Sequence, residues 1–431
     1  MCRVNSGSRQ RIVFAGLFSI AVLLAAGCST AEAPLAGVTV YEGARLITGD
    51  GSAPIENSAF LVENDRFTAV GQRGQITVPA GAARVDLTGK TVMPAIVDSH
   101  KHLSADNREL LISQLQHLAY WGVGATASLG QDNTDLPFQV REEIIPNAAR
   151  LRTAGRGITA PEPGRTEAPI WVKTEEEARN AVRENAAKKV DLIKIWIDDR
   201  NGMYQKLSPA LYRAVIDEAH KNNLRVTAHI FTLEDAKGAL RAGLDLFAHV
   251  PVRDKDIDDE ALALFKERPN LILVPNLPDR GVAVDMSWIA ETVPAGEVKK
   301  IQEAATDRPQ NQQTFGIQAR NLAKLHAAGV KIAFGTDGNV AWQPHVEMAD
   351  MVAAGMTPAQ VIVSATRNSA DILQITDVGM VAANKSADFI VLDANPLDDI
   401  TNTRKINKVY LRGTEVDRAA YRARLTSQAS R

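Results

Sequence analysis

Two histidines in the segment "DSHKHLS" are the first sign of chemistry in this sequence of 431 residues. His100 and His102 are two residues apart. Because alternate residues of a β-strand face the same side, both imidazoles can reach one ion while Lys101 points elsewhere. An isolated His-x-His pair is weak support for a metal site, which also needs other polar residues that the fold brings alongside the pair.

Four further ionisable residues lie in or directly after apolar segments that are typical of buried strands. Lys194 interrupts "VDLIKIWID", while His229, His249 and Asp337 follow "LRVTA", "LDLFA" and "IAFGT". The carboxyl ends of parallel barrel strands open onto one face, so we expect these side chains to meet there. Imidazoles and a carboxylate suit Zn²⁺ or a similar first-row divalent ion.

Lys194 is the unusual member of this set. A buried, unpaired ammonium costs several kcal/mol, and nearby metal ions would raise that cost. Burial lowers the pKa of a lysine and exposes its neutral amine, to which CO₂ can add. The resulting carbamate has two oxygens that could bridge two cations. We therefore predict that Lys194 is N6-carboxylated.

Apolar strand-like segments alternate with amphipathic helical ones through the middle of the chain, a pattern typical of parallel β/α units. The candidate strands are residues 91–98, 125–129, 151–154, 190–197, 224–228, 244–248, 271–275 and 331–335. Eight strands close a barrel. Short alternating segments at both ends predict one small β-sandwich. The expected fold is therefore α/β, with a (β/α)₈ TIM-like barrel over 91–380 and a β-sandwich built from 37–90 and 381–431, the latter including a C-terminal tail.

The N-terminus has the pattern of an export signal. Three arginines precede an apolar run at 12–27, which ends at Cys28. A transmembrane anchor needs about 20 apolar residues and fits less well. The segment "LLAAGCST" resembles a lipoprotein signal, which implies a signal peptide at 1–27, a lipid on Cys28 and a tether at 28–36. Ser29 is not the Asp that commonly retains lipoproteins at the inner membrane, so in a bacterium with two membranes we expect an exported lipoprotein on the outer membrane that faces the periplasm. A host with a single membrane would place it on the cell exterior.

Composition limits the partners. The chain is 45% hydrophobic and 23% charged, with a formal net charge of −2, so no basic surface predicts nucleic-acid binding. We expect a small-molecule substrate and membrane contact through the lipid alone. Self-association into a homo-oligomer is compatible with the sequence.

Five segments together resemble the amidohydrolase superfamily, in its branch of imidazolonepropionases and metal-dependent Xaa-Pro dipeptidases. They are "LTGKTVMPAIVDSHKHL", "DLIKIWI", "VTAHIFTLEDAKGALRAGLDLFAHV", "IAFGTDGN" and "SADFIVLDANPLDDI". The resemblance implies two divalent metal ions, with this set of ligands: His100, His102 and Asp337 on one, His229 and His249 on the other, and carboxylated Lys194 between them. Three departures are Ala95, where the family usually has Gly, Lys101, and "APEPGR", where relatives often have a Gly-Gly-His loop.

The predicted enzyme is a metal-dependent amidohydrolase that acts on carbon–nitrogen bonds. A hydroxide activated by two metals would cleave an amide-type bond in an N-acyl amino acid, dipeptide or aryl amide, with Asp337 as proton shuttle. The same centre could act on an ester, lactone or phosphotriester. Deamination is less favoured, because superfamily deaminases usually replace the strand-4 lysine. A catalytically silent, tethered binding module is least favoured, since no ligand is lost.

Substrate contacts are the last group of predicted residues. Arginines around the third strand could bind a carboxylate, and other polar residues are placed near the barrel mouth. The candidates are Arg152, Arg156, Arg165, Tyr204, Asn276 and His345. A solvated loop charge or a turn-forming Asn is an equal alternative at most of these positions.

Overall fold

The structure is a computed structural model, and it describes residues 37–429. The predicted signal peptide, the tether and the lipid attachment site at Cys28 lie outside the described residues. Between residues 37 and 429, no helix combines the length and the apolar character needed to cross a membrane.

The strands are short and follow the expected alternation with helices. In chain order they are β1 (Val38–Glu42), β2 (Arg45–Leu46), β3 (Ser58–Glu63), β4 (Arg66–Gln72), β5 (Ala83–Asp86), β6 (Thr91–Pro94), β7 (Ile96–Lys101), β8 (Val123–Ser128), β9 (Arg150–Thr153), β10 (Ile158–Thr159), β11 (Ile170–Trp171), β12 (Ile193–Ile197), β13 (Val226–Ile230), β14 (Leu246–Phe247), β15 (Ile272–Leu273), β16 (Lys331–Ile332), β17 (Phe389–Leu392), β18 (Ile406–Leu411) and β19 (Thr414–Glu415).

Most of the helices connect successive barrel strands. They are α1 (Arg108–Tyr120), α2 (Leu136–Arg141), α3 (Glu175–Ala187), α4 (Pro209–Lys221), α5 (Leu233–Ala242), α6 (Asp259–Lys266), α7 (Ala295–Ala304), α8 (Pro309–Ala327), α9 (Pro344–Ala353), α10 (Pro358–Val363), α11 (Ser369–Leu373) and α12 (Arg418–Ala429). The sequence signals for α4 and α5 hold, because Ser208 and Thr232 accept hydrogen bonds from the first turns of these helices.

Eight parallel strands of the described chain form the barrel: β7, β8, β9, β12, β13, β14, β15 and β16. Two junctions close it. The Asp191 N–H donates to the Thr153 carbonyl at 2.9 Å, which joins β9 to the start of β12, and the Ser99 N–H donates to the Phe334 carbonyl at 3.0 Å, which joins the first strand to the last. β10 and β11 add to the sheet beside β12. The predicted α/β barrel fold is confirmed.

Both chain ends build the small β domain. Its two sheets have the strand orders β4-β3-β1-β5 and β19-β18-β17-β6-β2, so the second sheet pairs N-terminal with C-terminal strands. Aromatic rings from both ends fill the space between the sheets. Tyr41 stacks on Phe60 with centroids 5.1 Å apart, and Phe389 stacks on Tyr410 at 4.5 Å. These side chains belong to one buried cluster.

The first predicted barrel strand, at residues 91–98, is in fact two strands in different sheets. β6 pairs with β17 in the small domain, while β7 pairs with β8 in the barrel. The change occurs at Ala95: its N–H donates to Asp388, whereas the next N–H, of Ile96, donates to Gly122. Residues 91–94 therefore lie in the small domain, and the first strand extends through Lys101.

Candidate metal centre

The structure brings the six predicted ligands together inside the mouth of the barrel. Their positions are His100 in β7, His102 just after it, Lys194 in β12, His229 in β13, His249 two residues after β14, and Asp337 in the loop after β16. Parallel strands make this possible, because each points its inward-facing side chains at the same axis.

Asp337 is the centre of the first group. Its Oδ1 lies 3.1 Å from Nε2 of His100 and 2.9 Å from Nε2 of His102. One ligand atom from each of these three residues lies within 4.8 Å of the others, which is the arrangement of a possible metal site. The Asp337 backbone has a φ of 53°, an uncommon conformation that is often found at functional sites.

His249 and His229 continue the group on the other side. Nε2 of His249 lies 3.5 Å from Oδ2 of Asp337, and the rings of His249 and His229 have centroids 4.6 Å apart. Nε2 of His229 lies 3.0 Å from Oδ2 of Asp198. The sequence reasoning missed Asp198, although it stands at the end of "KIWID", where a carboxylate at the mouth could have been expected.

Lys194, in β12, is the sixth member of the group. It is fully buried, and its Nζ lies 3.2 Å from Nε2 of His100. Burial lowers the pKa of Lys194 to about 8, against the opposing effect of Asp337. A substantial neutral amine fraction near pH 8 is what carbamate formation requires, and the carbamate itself stays a prediction.

The donor set fits a metal ion. Burial lowers the pKa of His100 to about 3 and that of His229 to about 4, so both imidazoles are neutral, as metal ligation requires. Burial on its own would raise the pKa of Asp337, but His100 and His249 outweigh it and hold that pKa well below its usual range. Both ring nitrogens of His249 are buried without a hydrogen-bond partner in the described structure. A buried, unpaired polar group costs about 1–3 kcal/mol, which a bound cation would offset.

Comparison with known families agrees with the resemblance stated from the sequence. A family model described as the amidohydrolase family matches residues 91–416. The chain belongs to the amidohydrolase family. This confirms the predicted enzyme class, a hydrolase of the amidohydrolase type acting on C–N bonds, while the predicted lipoprotein form stays a prediction.

Individual relatives are distant. An uncharacterized protein of Mycobacterium tuberculosis is 30% identical over 309 residues, which is 65% of this chain and 74% of that protein. Ochratoxinase of Aspergillus niger is 25% identical over 418 residues, 85% of this chain and 83% of the enzyme. Among solved structures, a candidate prolidase from Bifidobacterium longum has a TM-score of 0.73 at 27% identity and covers 92% of this chain and 100% of its own.

This amidohydrolase has a buried ion pair behind its candidate metal centre that the sequence reasoning did not predict. Lys101 is fully buried, and its Nζ donates to Oγ1 of Thr336 at 2.9 Å and to the carbonyl of Val340 at 2.8 Å. Oδ2 of Asp98 lies 3.7 Å from the same Nζ. These contacts hold both sides of the loop that carries Asp337. The strand alternation predicted that Lys101 faces away from the histidines but not what it meets there.

A second polar network of the amidohydrolase surrounds His229. Arg200 donates through Nη1 to Asp198 at 2.7 Å and through Nε to Glu162 at 2.9 Å. Glu162 comes from the "APEPGR" segment, noted above as a departure from the family pattern, and it also pairs with Arg165 at 2.5 Å. The departure noted in the sequence therefore supplies a buried carboxylate that positions Arg200 beside His229.

Four of the predicted substrate contacts have partners within the protein. Arg152 pairs with Asp191, which precedes β12 at the opposite end of the barrel, at 3.3 Å. Arg156 donates to three carbonyls of residues 167–169. Tyr204 donates its hydroxyl to the Pro163 carbonyl at 3.2 Å. As noted above, Arg165 pairs with Glu162. Arg152, in β9, is therefore held at the end of the barrel opposite the mouth, and the other three side chains are engaged in loop contacts.

Asn276 and His345, the last two predicted substrate contacts, lie in different surroundings, and a substrate contact at Asn276 stays a prediction. Nδ2 of Asn276 lies 2.5 Å from Nδ1 of His100, so this side chain supports a candidate ligand. His345 is fully buried, with Nδ1 3.0 Å from Thr403 Oγ1 and Nε2 3.0 Å from the Trp121 carbonyl. Because both nitrogens are engaged away from the barrel mouth, the predicted substrate contact at His345 is wrong.

Proposed function

We propose that this protein is a hydrolase with two divalent metal ions, preferably zinc, that cleaves an amide-type C–N bond in a small molecule. The observation that carries the proposal is the convergence of four imidazoles, the ionised carboxylate of Asp337 and one buried lysine at the mouth of the barrel. The family supports hydrolysis, and the name of the Bifidobacterium longum structure supports a bond of the peptide type.

The proposed ligand set is the one that the resemblance implied. His100, His102 and Asp337 would hold one ion and His229 and His249 the other, with carboxylated Lys194 shared between them. Bound metal ions of this kind lower the pKa of water and polarise the scissile carbonyl.

The protein's own groups supply the proton transfers. Asp337 is ionised, and its Oδ2 makes only a long contact, of 3.5 Å, with His249. This oxygen is therefore the better placed of the two to take a proton from an attacking water and return it to the leaving nitrogen. Asn276 keeps His100 oriented, and the network of Glu162, Arg200 and Asp198 does the same for His229.

The test is a metal-loading and substrate screen. The purified chain should bind two equivalents of metal, lose turnover on chelation and regain it on reloading. Its substrates should come from N-acyl amino acids, dipeptides and anilides. Faster hydrolysis of lactones or phosphotriesters would overturn the assignment of an amide substrate. A stably folded chain that binds no metal would overturn the assignment of the protein as a metal-dependent enzyme.

Variants of Asp337 and Lys194 test the proposed proton transfer and the proposed carbamate. Asp337→Asn should keep much of the bound metal but lose about 10²–10⁴ in turnover, the usual range for general acid–base catalysis. Asp371→Asn, in an exposed ion pair with Lys331 on the opposite side of the barrel, is the matched control. For Lys194, a ¹³C carbamate signal after exposure to labelled CO₂ should appear in the wild type and disappear in Lys194→Ala.

We also propose export and lipid attachment at Cys28, with the outer membrane as destination and the lipid as the membrane contact. The arginines, the apolar run and the small residues before Cys28 support this. The wild-type chain should fractionate with membranes and carry the mass of a lipid, whereas Cys28→Ser should be soluble. A soluble, unlipidated wild type would contradict the proposal.

A further inference from the structure

Phe231 forms an apolar wall of the metal centre. It directly follows β13, and its ring lies against two of the candidate ligands, with centroid distances of 4.3 Å to His229 and 5.0 Å to His249. The ring therefore lines the space in which a substrate would meet the metal ligands.

Arg253 lies on this wall. Its guanidinium carbon is 2.9 Å from the centroid of Phe231, and its backbone N–H donates to the Phe231 carbonyl. Stacking on an aromatic ring holds a guanidinium in place while leaving its N–H groups free for a planar anion. The segment after His249 is what delivers this arginine to the mouth.

The guanidinium of Arg253 has no ion-pair or side-chain hydrogen-bond partner in the part of the chain that the structure describes. The other arginine beside His229 differs, because Arg200 is paired with both Asp198 and Glu162. The residue as a whole is exposed, yet surrounding protein atoms lower the pKa of Arg253 to about 10. It is therefore cationic at neutral pH, partly desolvated and close enough to the mouth to interact with the charges of Asp198 and Asp337.

We infer that Arg253, held by Phe231, binds a carboxylate of the substrate next to the scissile bond. The carboxylate would accept two N–H groups of the guanidinium. This inference rests on the proposed function and narrows it: the substrates are N-acyl amino acids or dipeptides, whose leaving amine carries a carboxylate, and not neutral aryl amides.

The experiment compares amides that differ only in this carboxylate. N-acetyl derivatives of phenylalanine, methionine and leucine are each assayed beside the N-acetyl amine that lacks the carboxyl group, so that the scissile bond is the same. Hydrogen bonds to charged groups predict that the metal-loaded wild type prefers the acid by about 10- to 100-fold in kcat/KM. Arg253→Met should remove most of this preference, mainly by raising KM for the acids, so that acid and neutral amide differ by no more than about threefold in kcat/KM.

A binding measurement gives a second readout that does not depend on turnover. Titration calorimetry with free phenylalanine should show at least about tenfold weaker binding to Arg253→Met than to the wild type, while phenethylamine should bind both equally. Arg253→Lys keeps the charge but not the planar fork, so it should fall between them. Arg320→Met, which removes an exposed arginine paired with Asp256 on α8, is the matched control.

The outcomes distinguish failure of the proposed hydrolase function from failure of the role inferred for Arg253. If no amide of either kind is hydrolysed, the proposed function fails, and the inference fails with it. If the wild type hydrolyses acids and neutral amides equally well, or if Arg253→Met keeps the preference, the inference is overturned while the proposed function stands.

Discussion

Replacing Lys101 tests whether a buried charge behind the candidate metal centre holds Asp337 in place. In Lys101→Met the side chain keeps its length but loses the donor to Thr336 Oγ1 at 2.9 Å, the donor to the Val340 carbonyl at 2.8 Å and the ion pair with Asp98. Thr336 precedes Asp337 directly, and Val340 lies three residues after it. The loop that presents the carboxylate is therefore released on both sides.

The magnitude follows from burial. Lys101 and Asp98 are both fully buried, and removal of one member of a buried ion pair costs about 3–5 kcal/mol, because the other charge is left uncompensated. Asp98 keeps hydrogen bonds from the His100 N–H and the Thr336 hydroxyl, which places the expected cost at the lower end of that range. Loss of a group that supports a metal ligand typically weakens metal binding by about 10- to 100-fold.

The assay combines urea unfolding of the metal-free chain with metal titration in a competing chelator. The double variant Asp98→Asn with Lys101→Met should be more stable than Lys101→Met alone, since no buried charge remains unpaired. Lys331→Met, at the other end of the barrel, is the control for loss of a lysine. If Lys101→Met matches the wild type within about 0.5 kcal/mol and binds metal equally well, the assigned role is incorrect.

Two further predictions use other buried contacts. Burial lowers the pKa of His345 to about 3, so the unfolded chain binds a proton that the native chain does not as the pH falls from about 6.5 to 3, and the wild type loses stability through that window. His345→Gln should lower the urea midpoint at about pH 8, but its stability should fall less than that of the wild type on acidification to about pH 4. Equal losses of stability in the two proteins would contradict this. Gly130 has a φ of 91°, and a Cβ there would lie 2.5 Å from Trp196 and 2.9 Å from Lys194. Gly130→Ala should therefore reduce metal content, whereas Gly164→Ala, with a φ of 82° and no atom within 4 Å, should show only the backbone cost of about 1 kcal/mol.

The candidate ligands could be located from the sequence because the barrel turns position along a strand into position in space. A polar residue that ends an apolar run, such as His229, His249 or Asp337, lies at the mouth of the barrel, because the carboxyl ends of all the parallel strands meet there. Lys194 stood out for the same reason, as a charge where only apolar residues were expected. The family resemblance added the order of the segments and the assignment of ligands to ions.

The partners of these residues could not be predicted in the same way. Residues 92–97 are all apolar, so the hydrophobic pattern continues unbroken across Ala95, and only Pro94, which has no N–H to donate to a sheet, signals the break beside it. Lys101 and Arg253 depend on contacts with distant segments, which periodicity does not report. His345 follows a barrel strand, as a mouth residue would, but the chain has already turned into α9, which carries the imidazole into the core.

The pairing of β6 with β17 has a consequence for the biogenesis of the protein. Hydrogen-bonded neighbours in this sheet come from opposite ends of the chain, with the entire barrel between them. During synthesis the edges of the N-terminal strands stay unpaired until the last segment emerges. Such long-range pairing forms slowly, and the incomplete chain can aggregate before it forms. A chain cut short before residue 389 would leave the edge of β6 permanently uncovered, so late truncations should yield insoluble protein even though every candidate metal ligand is still encoded.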